Sequence, residues 1–476
     1  MSSPAAPIHA FGDELASLDA TATAEAVRSG ELSPIESVRA AIARARQVDP
    51  TLRAVACWDD ERALARSHWG RGGDFAGVAT FIKDMTDVEG LPTRNGSAAF
   101  AHVGPARATG EIAQQMFDAG MVCLGKSALP EFGFTPSTEF PDDEPTRNPW
   151  NPDRSAGGSS GGAAALVAAG VVAIAHGQDG GGSIRLPAAC NGLVGLKPSR
   201  GRLVTDPHDR LLPVRLVTDG VLTRTVRDTA NYYAMAERVH PSRHLPALGD
   251  VSHPVERRLR IGVMLDSPAR VTLDDATRAT FRSTVALLEE LGHEVRPVEA
   301  PVDAQFAQDF IHYWAMLAFA VKFGGKVLFD RSFDASALAP ITVGLAERFR
   351  SNIASTPGAI RRLQASAAKV AEATRDLDVV MSPTLAHLPP ELGHLGAHLH
   401  FDIVFPRVEQ WVGFTPLANA TGQPAISLPL GFDDASHLPI GMMFSGHMGE
   451  DGLLLRLALE LEAARPFPTL AAVPAT

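Results

Sequence analysis

The fold and chemistry of this chain are decided by seven consecutive residues, Asp179-Gly180-Gly181-Gly182-Ser183-Ile184-Arg185. Three glycines leave their backbone N–H groups uncovered, and a serine directly after them can attack a carbonyl carbon while those groups hold the oxyanion. A glycine-rich turn whose serine caps a helix is the alternative, and most such serines are used that way. However, Asp179 and Arg185 flank the turn, and the apolar stretch Val171–Ala175 predicts a core strand leading into it. We therefore interpret Ser183 as a nucleophile.

A second Gly/Ser loop, Gly157-Gly158-Ser159-Ser160-Gly161-Gly162, lies just upstream. Its Gly-x-Ser-x-Gly pattern matches the nucleophile elbow of α/β-hydrolases, in which Ser159 would become acylated. That pattern needs a strand directly before the serine, and the two prolines within Asn148–Arg154 argue against a central strand there. The loop is better explained as a serine-bearing bend ahead of a helix at Ala163–Ala169.

Lys83 ends an apolar segment, Gly77–Lys83, that predicts a buried strand. Lysines are rarely buried, so the alternative is a strand-end lysine that reaches water or pairs with Asp84. To act as a general base the amine must be neutral, which requires burial to lower its pKa from about 10.4. Taken with the two serine loops, Lys83 completes a proton relay of the kind that an amide-bond hydrolase needs.

Composition narrows the class of protein further. The 476 residues are 45% hydrophobic, enough for a large core, and the net charge of −11 argues against nucleic-acid binding, which needs a basic face. No apolar run approaches the roughly 20 residues that span a bilayer, and the N-terminus has no signal-peptide pattern. The cysteines are too few and too far apart for a disulfide framework, which favours a reducing, cytoplasmic setting. They are Cys57, Cys123 and Cys190.

Predicted strands alternate with predicted helices, which indicates an α/β fold around a mostly buried sheet. Ser33-Pro34-Ile35-Glu36 is a capping box that begins a helix, and Asp49-Pro50 is predicted to end it. Ile112–Ala119 predicts a helix, and Met121–Gly125 the strand after it. A strand–helix–strand unit is predicted downstream, at Arg258–Asp266, Leu273–Leu291 and His293–Val298.

Lys83, the Gly157–Gly162 loop and the Gly181–Arg185 segment resemble the amidase signature family in spacing as well as in composition. Further matches extend the resemblance over nearly the whole chain: Gly125-Lys126, Pro130-Glu131-Phe132, Gly195–Pro198, Arg224–Asp228, Ser382–Thr384, Gly422–Pro429 and Leu438–Gly441. The resemblance implies a single large α/β domain over residues 1–476, with a central mixed β-sheet surrounded by α-helices. Within it we expect an N-terminal helical segment (1–70), a signature core (71–235), a variable substrate-shaping region (236–400) and a C-terminal return to the core (401–476).

The resemblance also implies the roles of individual residues in a Ser–cis-Ser–Lys triad. Ser183 would be the acylated nucleophile, Ser159 the bridging serine after a cis peptide bond, and Lys83 the base. The oxyanion hole would be formed by the backbone N–H groups of Gly180, Gly181, Gly182 and Ser183. The loops would be held by Ser160, Asp179 and Arg185. Many members have a bulkier residue where this chain has Gly180, so we expect a roomier hole.

Within the family, the segment Thr146–Asn151 looks most like the branch of cyclic nylon-dimer hydrolases, and aryl acylamidases and urethanases lie in the same neighbourhood. Some enzymes of this branch have a polar amide side chain where this chain has Phe134, so we expect an apolar or aromatic pocket. The candidate substrate-binding residues are Phe134, Thr135, Arg202, Trp411 and Phe414. The expected substrate is a small, neutral, rather hydrophobic amide or carbamate, and the expected enzyme is a monomer or homodimer that binds neither nucleic acid nor membrane.

Two alternatives accompany this interpretation. An amidotransferase-type subunit would hydrolyse an amide donor for a partner protein, and would show little activity alone. A metal site is suggested by four residues with ligand-like spacing: Glu391, His394, His398 and His400. Pro389-Pro390 and two glycines place these residues on a loop instead of a rigid helix, far from the usual fixed-ligand geometry. We therefore expect no metal and no other cofactor.

Overall fold

The computed structural model describes residues 5–67, 72–205, 210 and 212–473. The strands are β1 (Val55–Trp58), β2 (Ala79–Lys83), β3 (Val122–Ser127), β4 (Ile174–Asp179), β5 (Val194–Lys197), β6 (Thr218–Thr223), β7 (Arg260–Val263), β8 (Glu294–Pro297), β9 (Val379–Pro383), β10 (Ala425–Asp433) and β11 (Leu438–Gly446). The helices of the first half are α1 (Glu14–Ser17), α2 (Ala20–Ser29), α3 (Pro34–Leu52), α4 (Asp60–Ser67), α5 (Glu111–Asp118), α6 (Gly161–Ala168), α7 (Arg185–Asn191) and α8 (Val226–Val239). Those of the second half are α9 (Asp275–Glu290), α10 (Ala304–Leu328), α11 (Pro340–Arg350), α12 (Thr356–Ala373), α13 (Phe401–Trp411), α14 (Pro416–Thr421) and α15 (Asp451–Ala464).

Within these ranges the strands form an eight-stranded sheet and a three-stranded sheet. The large sheet has the order β4-β6-β5-β10-β11-β9-β7-β8; its pairs are antiparallel from β4 to β9, and parallel between β9, β7 and β8. The small sheet has the order β1-β3-β2, antiparallel and then parallel. The predicted α/β fold, a central mixed sheet surrounded by helices, is confirmed.

The small sheet meets the large one where β2 lies beside β4. Thr80 Oγ1 donates a hydrogen bond to the carbonyl oxygen of Ile174 over 3.0 Å, and the Lys83 N–H donates to His176 Nδ1 over 3.3 Å. This junction places Lys83 near the end of β4, where the glycine loop begins. The strand predicted at Val171–Ala175 is wrong in its bounds, because β4 begins at Ile174 and runs on to Asp179. The loop therefore leaves directly from a paired strand.

Several predicted elements are confirmed, including the capping box at Ser33 and the parallel pair of β7 and β8 around α9. The predicted end of α3 at Asp49-Pro50 is wrong, since the helix continues to Leu52 with Pro50 inside its last turn. Two later N–H groups, of Ala54 and Val55, donate to the Asp49 carboxylate just after the helix ends, two residues beyond the proline. A proline so near the end costs the helix little hydrogen bonding.

The largest hydrophobic cluster lies between the large sheet and the helices α8, α9 and α15. Tyr233 is fully buried there, and its hydroxyl donates to the carbonyl oxygen of Leu196 on β5 over 2.9 Å. The same cluster contains Leu454 of α15. In the described ranges no helix has both the length and the apolar composition needed to cross a membrane.

Candidate active site

Lys83 lies at the end of β2 and is only 1% exposed. All residues of β2 are buried, so the strand carries the amine into the interior. Lys83 Nζ donates to Ser159 Oγ over 2.7 Å and to the carbonyl oxygen of Gln178 over 3.4 Å. The alternative of a lysine paired with Asp84 is wrong, because Asp84 pairs with Lys126 at 3.0 Å.

Burial lowers the pKa of Lys83 to about 7, although the carboxylates of Asp179 and Asp219 act in the opposite direction. The loss of hydration therefore disfavours the ammonium form more than these two carboxylates favour it. A large fraction of the amine is neutral near neutral pH, so Lys83 can accept a proton as a general base.

Ser159 lies in the loop before α6, and the Gly158–Ser159 peptide bond is cis. The preceding Gly157 has φ of +74°, in the left-handed region that glycine favours. Gly133 approaches the same hydroxyl from the 131–133 turn, and a Cβ at Gly133 would lie 2.8 Å from Ser159 Oγ. A side chain at Gly133 would therefore displace the hydroxyl that accepts the hydrogen bond from Lys83.

Ser183 directly follows the three glycines and is 8% exposed. Its loop is joined to the other serine loop through the backbone, since the Ser160 N–H donates to the carbonyl oxygen of Ser183 over 3.2 Å. Ser160 Oγ also exchanges hydrogen bonds of 3.3 Å with the backbone of Gln178, donating to its oxygen and accepting from its N–H. Ser160 therefore joins its own loop to the end of β4, and the supporting role expected of it stays a prediction.

Asp179 and Arg185 form a fully buried ion pair across the glycine loop. Arg185 Nε and Nη2 donate to the two carboxylate oxygens of Asp179 over 2.9 and 2.8 Å. Arg185 Nη1 also donates to the carbonyl oxygen of Thr415, and Nη2 to Asn419 Oδ1. Although burial alone would raise it, the pKa of Asp179 is held well below its usual range by the Arg185 guanidinium and by hydrogen bonds. Asp179 therefore stays ionised.

The N–H group of Gly182 is used inside this loop, because it donates to Asp179 Oδ1 over 2.7 Å. This corrects the expectation that Gly182 contributes to the oxyanion hole. Among the described residues, no acceptor lies within hydrogen-bonding geometry of the N–H groups of Gly180, Gly181 and Ser183. These three N–H groups are therefore free to bind an oxyanion.

The space beside Gly180 is occupied by Trp314 and Val217. A Cβ at Gly180 would lie 3.2 Å from Trp314 Cη2 and 3.2 Å from Val217 Cγ2, closer than ordinary van der Waals contact. The expectation of a roomier hole at Gly180 is therefore wrong on this side. The indole takes up volume that a larger side chain at position 180 would need.

A cavity of about 400 Å³ opens beside Ser183, and both Phe134 and Thr135 line it. The Phe134 ring meets Trp314 edge to face, with ring centroids 5.6 Å apart, and Trp314 Nε1 donates to the carbonyl oxygen of Phe134 over 3.3 Å. Phe310 stacks on Trp314 at 5.9 Å. This aromatic wall gives the cavity the apolar character that was predicted from Phe134.

Trp411 and Phe414, two further candidates, do not line this cavity. Trp411 is 0% exposed, and its Nε1 donates to the carbonyl oxygen of His387 over 2.9 Å. Phe414 is 1% exposed and packs in a separate cluster with Met264 and Met443. Both side chains point into the core, because the neighbouring residues Val412 and Gly413 take the cavity side of the chain.

Arg202, the remaining substrate-binding candidate, is buried in ion pairs away from the cavity. Its side chain is 1% exposed and forms ion pairs with Asp451 at 3.0 Å and with Glu237 at 2.6 Å. It also donates to the carbonyl oxygens of Pro246 and Gly449. Arg202 therefore joins α8 and α15 and is not among the residues lining the cavity.

The four residues with metal-like spacing do not converge. Glu391 approaches Arg154 at 3.6 Å, and His400 accepts from the N–H of Asp402 at the start of α13. Within the described part of the chain, no three His, Cys, Asp or Glu side chains are placed to hold a metal ion together.

His176 and Asp219 are two site residues that sequence reasoning missed. His176 Nδ1 accepts the hydrogen bond from the Lys83 backbone N–H, and its Nε2 lies 3.0 Å from Asp219 Oδ1. Nε2 therefore carries the hydrogen that is donated to Asp219. A histidine in an apolar strand just before the glycine loop was a visible signal. Its partner, on β6, is brought to it only by the pairing of β4 with β6.

This arrangement can perform one kind of chemistry well. A buried lysine with lowered pKa contacts one serine, and a second serine lies beside free N–H groups at the edge of a cavity. Those are the parts of a serine hydrolase that forms a covalent acyl intermediate.

Comparisons with known proteins agree. The family model described as Amidase matches residues 36–455. "Putative amidase AmiC" of Mycobacterium tuberculosis is 48% identical over 464 residues, covering 97% of each chain. The solved structure of 6-aminohexanoate cyclic dimer hydrolase superposes with a TM-score of 0.87 at 32% identity, covering 95% of this chain and 98% of that one. A bacterial aryl acylamidase superposes with a TM-score of 0.83 at 27% identity, covering 94% and 96%.

The chain therefore belongs to the amidase signature family. It is an amidase, a hydrolase of carbon–nitrogen bonds.

Replacing Arg202 tests its structural assignment. Arg202→Met leaves Asp451 buried without its partner, so we expect the free energy of unfolding to fall by about 3–5 kcal/mol. Chemical denaturation of the purified variant measures the change, and Arg375→Met, at an exposed pair with Glu372, is the matched control with little effect. A normal stability together with a raised KM would instead return Arg202 to the substrate site.

Replacing Asp219 tests whether its charge raises the pKa of Lys83. The kcat/KM of the wild type is expected to rise with pH through an apparent pKa of about 7, as Lys83 loses its proton. Asp219→Asn removes a charge that favours the ammonium form, so the acidic limb should move to lower pH. Burial acts in the same direction, and the charge of Asp179 continues to oppose it.

The pH–rate profiles of the wild type and Asp219→Asn measure this movement directly. The control is Asp376→Asn, at an exposed loop position, whose profile should match the wild type. An acidic limb of Asp219→Asn that stays in place or moves to higher pH would contradict the role given to Asp219.

Proposed function

We propose that this amidase cleaves small, largely apolar amides through a triad of Ser183, Ser159 and Lys83. The observation that carries the proposal is the 2.7 Å hydrogen bond between Lys83 Nζ and Ser159 Oγ. It joins a lysine whose pKa is lowered to about 7 to a serine whose loop is bonded to that of Ser183. No metal or other cofactor is needed for this chemistry.

Acylation begins when Ser183 Oγ attacks the carbonyl carbon of the amide. The Ser183 proton passes to Ser159 Oγ, whose own proton passes to the neutral amine of Lys83. The resulting oxyanion accepts hydrogen bonds from the N–H groups of Gly180, Gly181 and Ser183. The relay then runs in reverse and protonates the leaving nitrogen, so the carbon–nitrogen bond breaks and a neutral amine departs.

Deacylation uses the same groups with water as the nucleophile. Water loses a proton through the relay to Lys83 as its oxygen attacks the acyl carbon. Return of that proton to Ser183 Oγ releases the carboxylic acid and restores the free enzyme. Protonation of the leaving nitrogen is the step that an amide requires and an activated ester does not.

The substrate class follows from the cavity. Its wall of Phe134, Trp314 and Phe310 favours apolar or aromatic groups beside the reacting carbonyl. Two solved relatives are named as a cyclic dimer hydrolase of 6-aminohexanoate and an aryl acylamidase. Aryl amides, amide oligomers and carbamates are therefore the substrates we propose for this chain.

We also propose a reducing, cytoplasmic setting and a monomer or homodimer acting on small molecules. Support for the setting comes from the cysteines, since Cys57, Cys123 and Cys190 are all free thiols. Free thiols in a protein of this size are usual where glutathione and thioredoxin keep them reduced.

Hydrolysis of a matched aryl amide, aryl carbamate and aryl ester, each with the same hexyl-sized apolar group, tests the proposal. The wild type should cleave the amide, and Ser183→Ala should lower kcat by about 10³-fold or more on all three substrates. The aryl group of each substrate is para-nitrophenyl, so the release of para-nitroaniline or para-nitrophenol is followed by absorbance. Circular dichroism checks the fold of the variant.

Ser366→Ala is the matched control, because Ser366 is buried in α12 and, among the described residues, its hydroxyl donates to the carbonyl oxygen of Leu363 in the same helix. It should retain wild-type rates. The proposal fails if the wild type leaves all three substrates intact, or if Ser183→Ala keeps its activity. The first of these outcomes would favour a subunit that needs a partner protein.

A further inference from the structure

The cavity beside Ser183 has walls that are almost entirely apolar. They include Leu186, Phe306, Phe310, Trp314, Ile341 and Val412. Of the described residues that line the cavity, Glu409 alone has an ionisable side chain. A carboxylate placed among apolar groups costs free energy unless something pairs with it.

The Glu409 carboxylate has no hydrogen-bond or ion-pair partner among the described residues. Arg348 on α11 is the cation whose charge reaches it, but that guanidinium lies over the ring of Phe405, 5.4 Å from the centroid. Burial raises the pKa of Glu409, and the attraction of Arg348 offsets this only in part. The half-buried carboxylate is thus left facing the cavity without a partner of its own.

The position of Glu409 on its helix also favours a positively charged ligand. It lies in the last turn of α13, where the backbone carbonyl groups carry partial negative charge. The next residue, Gln410, and Gln308 of α10 also line the cavity and are exposed, so they form a polar edge at its mouth. A cation held there would be near water, while its apolar stem lay against the aromatic wall.

We propose that Glu409 binds an ammonium group of the substrate. This inference rests on the proposed function and replaces the expected neutral substrate with an amide whose apolar body carries one primary amine, protonated at neutral pH. An apolar spacer joins that amine to the scissile carbonyl or to the scissile nitrogen. The ammonium donates hydrogen bonds to the carboxylate, as charge-assisted pairs do.

Matched pairs of substrates test the inference and also separate the two sides of the scissile bond. On the acyl side, 6-aminohexanoyl para-nitroanilide is compared with heptanoyl para-nitroanilide, its neutral analogue. On the amine side, the hexanamide of 1,6-diaminohexane is compared with the hexanamide of heptylamine. The measurement is the ratio of kcat/KM for the ammonium substrate to that for its neutral partner.

In the wild type this ratio should be greater than one in at least one of the two pairs of substrates. Glu409→Gln keeps the size of the side chain and removes its charge, so the ratio in that pair should fall by about tenfold or more. The fall should come mainly through KM, because the ammonium is bound alike in the ground state and the transition state. Glu372→Gln, at an exposed position on α12, is the control and should keep the wild-type ratio.

Charge reversal gives a second variant in case Glu409→Gln folds poorly. Glu409→Lys should prefer an anilide with a terminal carboxylate, the acyl group of adipic acid, over 6-aminohexanoyl anilide. If the wild type cleaves the neutral anilide but no ratio responds to either variant, the ammonium site is overturned while the amidase proposal stands. If the wild type cleaves none of these substrates, the proposed function itself fails.

Discussion

The buried ion pair between Asp179 and Arg185 is the interaction on which the rest of the site depends. Two charges inside a protein are tolerated only when good geometry and further hydrogen bonds compensate for their lost hydration. Here the carboxylate binds Arg185 through both oxygens, the N–H groups of Gly182 and Ile184, and the Asn419 amide. The guanidinium reaches on to Thr415. The pair thereby fixes the glycine loop to the segment around α14, more than 200 residues later in the chain.

Lys83 lies close enough to Asp179 for the carboxylate to affect its pKa. The Asp179 charge favours the ammonium form of Lys83, the proposed general base. Burial is the larger effect, so the pKa of Lys83 still falls to about 7. The same carboxylate uses up the N–H of Gly182 and leaves those of Gly180, Gly181 and Ser183 free. The buried pair thus lies beside both the proposed base and the proposed oxyanion donors.

Much of this site could be predicted from the sequence, because its parts lie in short motifs with strong local constraints. Lys83 at the end of an apolar strand, the two serine loops and the charges flanking the glycines were all visible in the chain, and the structure brings them together. The fold class followed from the alternation of strands and helices. What local sequence could not show was the direction in which an N–H or a side chain points. Gly182 was expected to bind an oxyanion, but its N–H serves Asp179.

The cavity was predicted less well, because its lining comes from segments that meet only in the folded chain. Phe134 and Thr135 follow the turn at Pro130–Phe132 and line the cavity, whereas Trp411, Phe414 and Arg202 are buried elsewhere. On α13, Glu409 faces the cavity and Trp411, two residues later, faces the core. Residues two apart lie on different sides of a helix, so choosing between them requires knowing how the helix packs. His176 and Asp219 were missed because they come together only when β4 pairs with β6.

The most direct test of the central claim is to find which serine forms the covalent intermediate. The wild type is treated with a fluorophosphonate that reacts with activated serines, and the modified peptide is mapped by mass spectrometry. Our account predicts one adduct, on Ser183, because Ser159 serves as the relay between Ser183 and Lys83. An adduct on Ser159 with Ser183 unmodified would contradict it, and would favour the nucleophile-elbow assignment.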